Sequence, residues 1–227
     1  NLGDLNCRAD HEIYTMTVGE YKAASFQRRV LYRIYRSPFT LLVLGPIWTY
    51  FIRYRWPRNA HKMPLRDIVF QNVAMAIYWA LVAWLLGGWA LLVVILGSYL
   101  GGSFGIFVVY VGHNFEKAYW ETSESLNQKE AALSGASILD LGWLPNFALM
   151  NFGFHDLHHL NSRIPSYRLK KCHESLSSML NPTRITYEEA WRSLHWRLWD
   201  EDSGRMVPFP KRTSFYWRGV TSKHSDG

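Results

Sequence analysis

"IVFQNVAMAIYWALVAWLLGGWALLVVILGSYLGGSFGIFVVYVGHNF", residues 68–115, contains no Asp, Glu, Lys or Arg. One straight helix of that length would run to roughly 70 Å, more than twice the ~30 Å hydrocarbon core of a bilayer. The block must therefore turn once, and Gly87-Gly88 is the place where the apolar pattern breaks. The pattern predicts helices over about 68–86 and 89–112, each long enough to cross a membrane. Arg53, Arg55, Arg58, Lys62 and Arg66 precede the first arm, so the preference of basic residues for the inner surface puts both ends of the hairpin in the cytoplasm. Gly97, Gly101, Gly102 and Gly105 on the second arm would let another helix approach closely.

The charge pattern outside the block agrees. Of 25 Lys/Arg and 18 Asp/Glu, residues 1–67 carry 11 and 5, residues 116–162 carry 2 and 6, and residues 163–227 carry 12 and 7. Basic ends around an uncharged middle fit attraction to anionic lipid, and no basic aromatic or helix-turn-helix motif points to nucleic acid. Cys7 and Cys172 provide neither a disulfide framework nor a zinc pair, which fits a reducing, cytosol-facing setting. The stretch "FTLLVLGPIWTYFI" at 39–52 is too short to span and reads as a helix lying in the membrane interface, as does the basic amphipathic "SFQRRVLYRIYRS" at 25–37. Asp140 and Pro145 keep "ILDLGWLPNFALMNFGF" at 138–154 out of the bilayer core. "TYEEAWRSLHWRLWDE" at 186–201 reads as an amphipathic surface helix capped by Thr186.

The expected architecture is all-α: residues 1–67 as cytoplasmic and interfacial helices, 68–112 as a transmembrane hairpin, and 113–227 as a cytoplasmic helical region. The absence of an initiator Met and of a signal-peptide pattern is read as the mark of a fragment.

The chemistry is concentrated in "NFGFHDLHHLNSRIPSYRL", residues 151–169. On a helix, His155 faces both His158 and His159 across one turn, so three imidazoles share one side. Neutral imidazole suits zinc, copper, iron and nickel, and a ligand histidine usually donates its other N–H to a carboxylate or carbonyl. Asp156, Asn151 and Asn161 are candidates for such support, with Glu116 beside the next histidine. A solvated histidine cluster is the plain alternative, since the chain has 9 histidines. His113, in "GHNFEKAYW", changes the balance: it ends the second arm, where an ionisable group near the bilayer is costly and usually functional. His113, His155, His158 and His159 together point to a metal site at the membrane boundary.

These two stretches resemble the C-terminal half of the membrane fatty acid desaturases, in particular their Δ12/ω6-like acyl-lipid branch. "HDLHH" matches the third of the family's three histidine boxes, and Asn161, Ile164, Pro165 and Tyr167 match its continuation. His113 matches the additional histidine outside the boxes, followed by Glu116 and Trp120 as in the family. Gly112 departs from the Gln common there. The opening "NLGDLNCRADHEIYTMTVGEY" resembles the segment after the second box. The resemblance, which runs to about residue 200, implies part of a four-transmembrane-helix fold with the first two boxes lying upstream of this sequence. It further implies two non-haem Fe ions, O2 as co-substrate, a fatty acyl lipid or acyl thioester as substrate, and an active site on the cytoplasmic side of an integral membrane protein. A ferredoxin or cytochrome b5-like protein would donate electrons, and no catalytic residue beyond the metal ligands is implied. With four of the required histidines, this chain alone is expected to be inactive.

Three other functions fit parts of the pattern. A di-iron acyl or alkane hydroxylase or a carotenoid oxygenase would share the boxes. A membrane zinc protease would read His155-Asp156-x-x-His159 as a variant of HExxH, leaving His158 and His113 unexplained. A non-catalytic membrane protein derived from an enzyme is the third.

Overall fold

The computed structural model describes residues 4, 13–56, 64–121, 127, 131, 133–154, 156–161, 163–176 and 183–210. The described chain begins with β1 (Met16–Thr17), α1 (Val18–Ala23) and α2 (Phe26–Tyr35). Thr17 and Glu20 form a reciprocal capping box at the start of α1, and the Ser25 side chain accepts from the Arg28 N–H at the start of α2. Tyr32 is buried on the inner side of α2, while Phe26, Leu31 and Ile34 on the same helix are exposed.

Residues 39–52 form two wide-turned π-helical pieces, Thr40–Leu44 and Ile47–Arg53. Pro46 between them has helical angles but no N–H to donate, and lengthened turns accommodate the missing bond.

The uncharged block is α3 (Leu65–His113), helical except at Gly87, whose φ of 83° and ψ of 171° break the run. That left-handed-side conformation is open to glycine and strained for other residues. Phe51 stacks on Trp79 of the first arm, while a Cβ on Gly102 of the second arm would lie 3.0 Å from the ring of the adjacent Tyr50. In a straight helix residues 79 and 102 would be about 34 Å apart. Neighbouring side chains cannot bridge that distance, so the arms fold toward each other at Gly87. The small residues contribute as expected at two positions: Gly102 and Gly105 admit Tyr50, whereas Gly97 and Gly101 have nothing within 4 Å. Polar atoms fasten the same contact, with Ser103 donating to the Leu42 carbonyl at 2.8 Å and Asn72 to the Arg55 carbonyl at 3.1 Å.

The remainder caps one end of α3. It comprises β2 (Ser137–Ile138), α4 (Trp143–Ala148), α5 (Asp156–Leu160), α6 (Ser166–Leu176), β3 (Thr183–Arg184), α7 (Tyr187–Ser193), β4 (Leu198–Asp200) and β5 (Arg205–Val207). The chain is mostly helical, but the all-α expectation needs correction, because two small sheets join distant segments. β1 runs parallel to β4 with Met16 opposite Leu198, β4 is antiparallel to β5, and β2 runs parallel to β3 with Ser137 opposite Thr183. Strands of two or three residues satisfy backbone groups of chain leaving the helices; they are too short to show a two-residue hydrophobic alternation. The expected helix over 186–201 is also shorter. Thr186 caps it with a Glu189 capping box, it ends at Ser193, and residues 198–200 enter the sheet.

The last turns of α3 are where the cap gains its core. Phe107, Val108, Tyr110 and Val111 are buried against Leu139, Leu194, Trp199 and Met206. A second cluster joins Met16, Tyr21, Tyr32 and Leu198, and a third joins Ile138, Phe154, Leu157 and Leu169.

Tyr32 links the two ends of the chain. Its hydroxyl accepts from the Met16 N–H at 2.9 Å and donates to the Arg197 carbonyl at 2.7 Å. Burial pushes the phenol up to about 12, against the opposing effect of the Arg36 charge. The unfolded phenol ionises near 10.0 while the folded one keeps its proton to about 12, so its contribution is complete below pH 10 and lost by pH 12. In detergent, the wild-type chain should lose up to ~3 kcal/mol across that window relative to Tyr32→Phe. Denaturant unfolding of both proteins at pH 8, 10 and 12 checks this, and equal slopes would contradict it.

Candidate metal centre

His113 ends α3, and its position is fixed from behind by Asn114, whose backbone leaves the helical region at φ −122° and ψ 75°. The buried Asn114 amide donates to the Tyr110 hydroxyl at 2.9 Å and the Ser193 carbonyl at 2.8 Å, and accepts from Arg36 Nη2 at 2.6 Å. Arg36 itself is buried and also donates to the Trp196 carbonyl at 3.1 Å. Nearby Arg197 donates to the Tyr110 hydroxyl at 3.2 Å. Burial pulls Arg197 below the ordinary guanidinium range, opposed by Tyr110.

The second histidine-bearing element is α5. Its approach is tightly constrained: Met150 and Asn151 both adopt left-handed backbone, at φ 51° and 62°, and Gly153 follows. A Cβ on Gly153 would collide with the Leu139 carbonyl oxygen, and Leu139 N–H donates to the Gly153 carbonyl at 3.1 Å. Phe154 then forms a bridge with Ile138. Beyond this clamp, Asp156 and Leu157 turn inward while His158 and His159 are half-buried.

The two elements meet through ring nitrogens. His113 Nε2 lies 3.2 Å from His159 Nε2, with the rings close to perpendicular at 73°. His113 Nδ1 faces the Gly135 carbonyl at 3.4 Å, which assigns the proton to Nδ1 and leaves the Nε2 lone pair toward His159. The His158 ring centroid is 5.8 Å from that of His159 and 6.1 Å from that of Phe152. His155 lies outside the described residues, and among those described no group of three or more His, Cys, Asp or Glu side chains converges for a metal.

The pair nevertheless fits shared metal ligation. Imidazole nitrogens bound to one ion at ~2.0–2.1 Å, 90–110° apart, are about 2.8–3.4 Å from each other. Two Nε2 atoms at 3.2 Å match that spacing, and a carbonyl behind His113 is the usual support for a ligating histidine.

The supporting residues lie as follows. Asn151 donates to the Tyr167 carbonyl at 3.1 Å, the Asn161 side chain accepts from the Arg163 N–H at 3.1 Å, and Glu116 pairs with Arg205 at 3.7 Å. Asp156 has no exposed surface, and its carboxyl faces His173 Nδ1 at 3.3 Å. A carboxyl enclosed in this way against His173 is not open to a water, as the base of the zinc-protease reading would have to be. Sequence reasoning missed Asn114, Arg36 and His173; a histidine in "KCHESL" looks like polar tail, yet it is 1% exposed. The apolar spacing of Leu169, Cys172, His173 and Leu176 on α6 was the available signal.

The Fatty acid desaturase family profile matches residues 9–191, a span containing both histidine-bearing elements. The chain belongs to the fatty acid desaturase family. This desaturase-family chain is also 34% identical over 208 residues to a protein named Fatty acid desaturase from Bacillus subtilis (strain 168), a match covering 91% of the chain. The desaturase-family chain spans 59% of the length of that curated relative.

Proposed function

We propose that this chain is the C-terminal portion of an O2-dependent fatty acid desaturase, of the Δ12/ω6-like acyl-lipid kind that the "NSRIPSYRL" continuation favours. The observation that carries the reading is the 3.2 Å approach of His113 Nε2 and His159 Nε2 at the end of an uncharged helix. His113, His155, His158 and His159 would hold iron together with histidines of upstream boxes. A di-iron pair so held would supply the oxidising power for two adjacent methylenes to lose one hydrogen each, O2 with two further electrons and two protons becoming two waters.

The chain's own residues prepare that chemistry. The Gly135 carbonyl keeps the His113 ring in one tautomer, and the Asn114–Arg36 network holds the end of α3. Packing of Phe107, Val108 and Val111 under the cap buries the last turns of α3 that lead to His113. The folded arms of α3 would form a transmembrane hairpin with both ends cytoplasmic. Trp84 and Trp89, 78% and 81% exposed on either side of Gly87, suit the opposite interface. Residues 1–67 and 113–227 form the cytoplasmic and interfacial parts. Electrons come from a ferredoxin or cytochrome b5-like donor, drawn by the basic flanks.

The hairpin predicts sidedness. With Cys7 and Cys172 replaced by Ser, single cysteines at Arg66 and Lys117 should both react with an impermeant maleimide only from the cytoplasmic side. Labelling from opposite sides would exclude the hairpin.

Activity is tested by replacing the matching region of the Bacillus subtilis relative with this chain. In a host whose lipids are saturated, mass spectrometry should find a new double bond with the chimera and none with the 227-residue chain alone. A folded, iron-loaded chimera that yields a hydroxylated product, or no product, would overturn the desaturase reading.

A further inference from the structure

α5 makes a second contact. His159 meets His113 of α3, while the fully buried Asp156, three residues before it, faces His173 of α6. Both of its carboxyl oxygens are buried, and neither makes an aligned hydrogen bond. The nearest polar group is His173 Nδ1 on α6, at 3.3 Å from Oδ2, within pairing distance but off the line of a good hydrogen bond. His173 is equally enclosed, against the Phe154 ring at 5.6 Å between centroids. Its other nitrogen, Nε2, lies 3.0 Å from Arg184 Nη2 on β3.

This chain of contacts fixes a proton. A guanidinium nitrogen only donates, so Nε2 of His173 must accept and carries no hydrogen. The hydrogen of the ring is then on Nδ1, the nitrogen 3.3 Å from Asp156 Oδ2. Arg184, His173 and Asp156 thus form one line running from the surface through α6 to the histidine-bearing helix. A buried carboxyl deprived of its partner is costly, so α5 is held in the rotation that keeps Asp156 on His173. That same rotation keeps His159 on His113.

We propose that His173 is a positioning residue for the metal centre: through Asp156, and oriented by Arg184, it sets the rotation of α5 that brings His159 to His113. This rests on the reading of α5 as ligand-bearing, but its first measurement needs no metal. In the full 227-residue chain in detergent, 15N imidazole spectra should find His173 neutral with a slowly exchanging Nδ1 proton. His173→Phe keeps the volume and removes the donor, and should shift the His113 and His159 ring resonances. His173→Asn restores an N–H near the Nδ1 position and should return them toward wild type. Co2+ affinity should fall about 10–100-fold in His173→Phe, as is typical for partners behind the ligands, and recover in His173→Asn.

A proton on Nε2 of His173, or unchanged His113 and His159 resonances in a folded His173→Phe, overturns the proposal. If His173→Phe does not fold, Arg184→Gln, altered at an exposed site, replaces it; there the His173 tautomers should mix and the His159 resonance should move, and no change in either overturns the proposal. A wild-type chain that binds no Co2+ would count against the metal reading, while the ring resonances would still decide the positioning role.

Discussion

In the chimera, His159→Ala is expected to eliminate desaturated product and to lower bound iron. His159 is the described side chain of α5 whose ring nitrogen meets His113, so its loss removes that contact between the two elements. The expected loss exceeds the roughly 10–100-fold typical of residues behind the ligands, and Asp156→Asn should stay within that smaller range. Iron content per chain and product yield, measured on the same preparations, check the order of effects. Full activity in His159→Ala, or an Asp156→Asn protein more impaired than His159→Ala, would contradict the assignment.

Gly153→Ala is expected to have the largest effect on folding for the smallest chemical change. The added methyl would meet the Leu139 carbonyl oxygen, which is backbone and cannot rotate away like a side chain. The Leu139 N–H bond to Gly153 and the adjoining Ile138–Phe154 bridge must shift with it. Forced overpacking costs on the order of 3 kcal/mol, at the upper end because the obstacle is rigid. The loss should appear as a lowered unfolding midpoint and faster hydrogen exchange in α5, whereas Gly101→Ala, facing open space, should change little.

The part of the fold written in composition was legible. An uncharged run longer than a bilayer must bend, and glycine is the residue that permits φ near 83°, so the break at Gly87 followed from length and residue type. The Thr186 cap was equally local, because Thr and Glu three residues apart form a box without help from the rest of the chain. The short strands were not legible, since Met16 and Leu198 pair only after the intervening chain has folded. At the candidate site, the pairing of α5 with the end of α3 was anticipated from His113 and the HxxHH spacing. Asp156 was expected to support the histidines from nearby; instead it faces His173, a contact across two helices that spacing along one helix cannot reveal.

The Tyr32 hydroxyl that joins α2 to the Arg197 carbonyl spans 165 positions. At ribosomal speeds of 5–20 residues per second, α2 waits roughly 8–30 s for its partner to be made. During that interval both arms of α3 have already emerged, while Phe107, Val108 and Val111 lack the cap that buries them. Assembly is therefore ordered by synthesis: both apolar arms are made before the segments of the cap that bury their last turns. A ribosome stalled before β4 would hold an α3 whose last turns still lack Trp199 and Met206, leaving apolar surface to whatever shields nascent helices from one another.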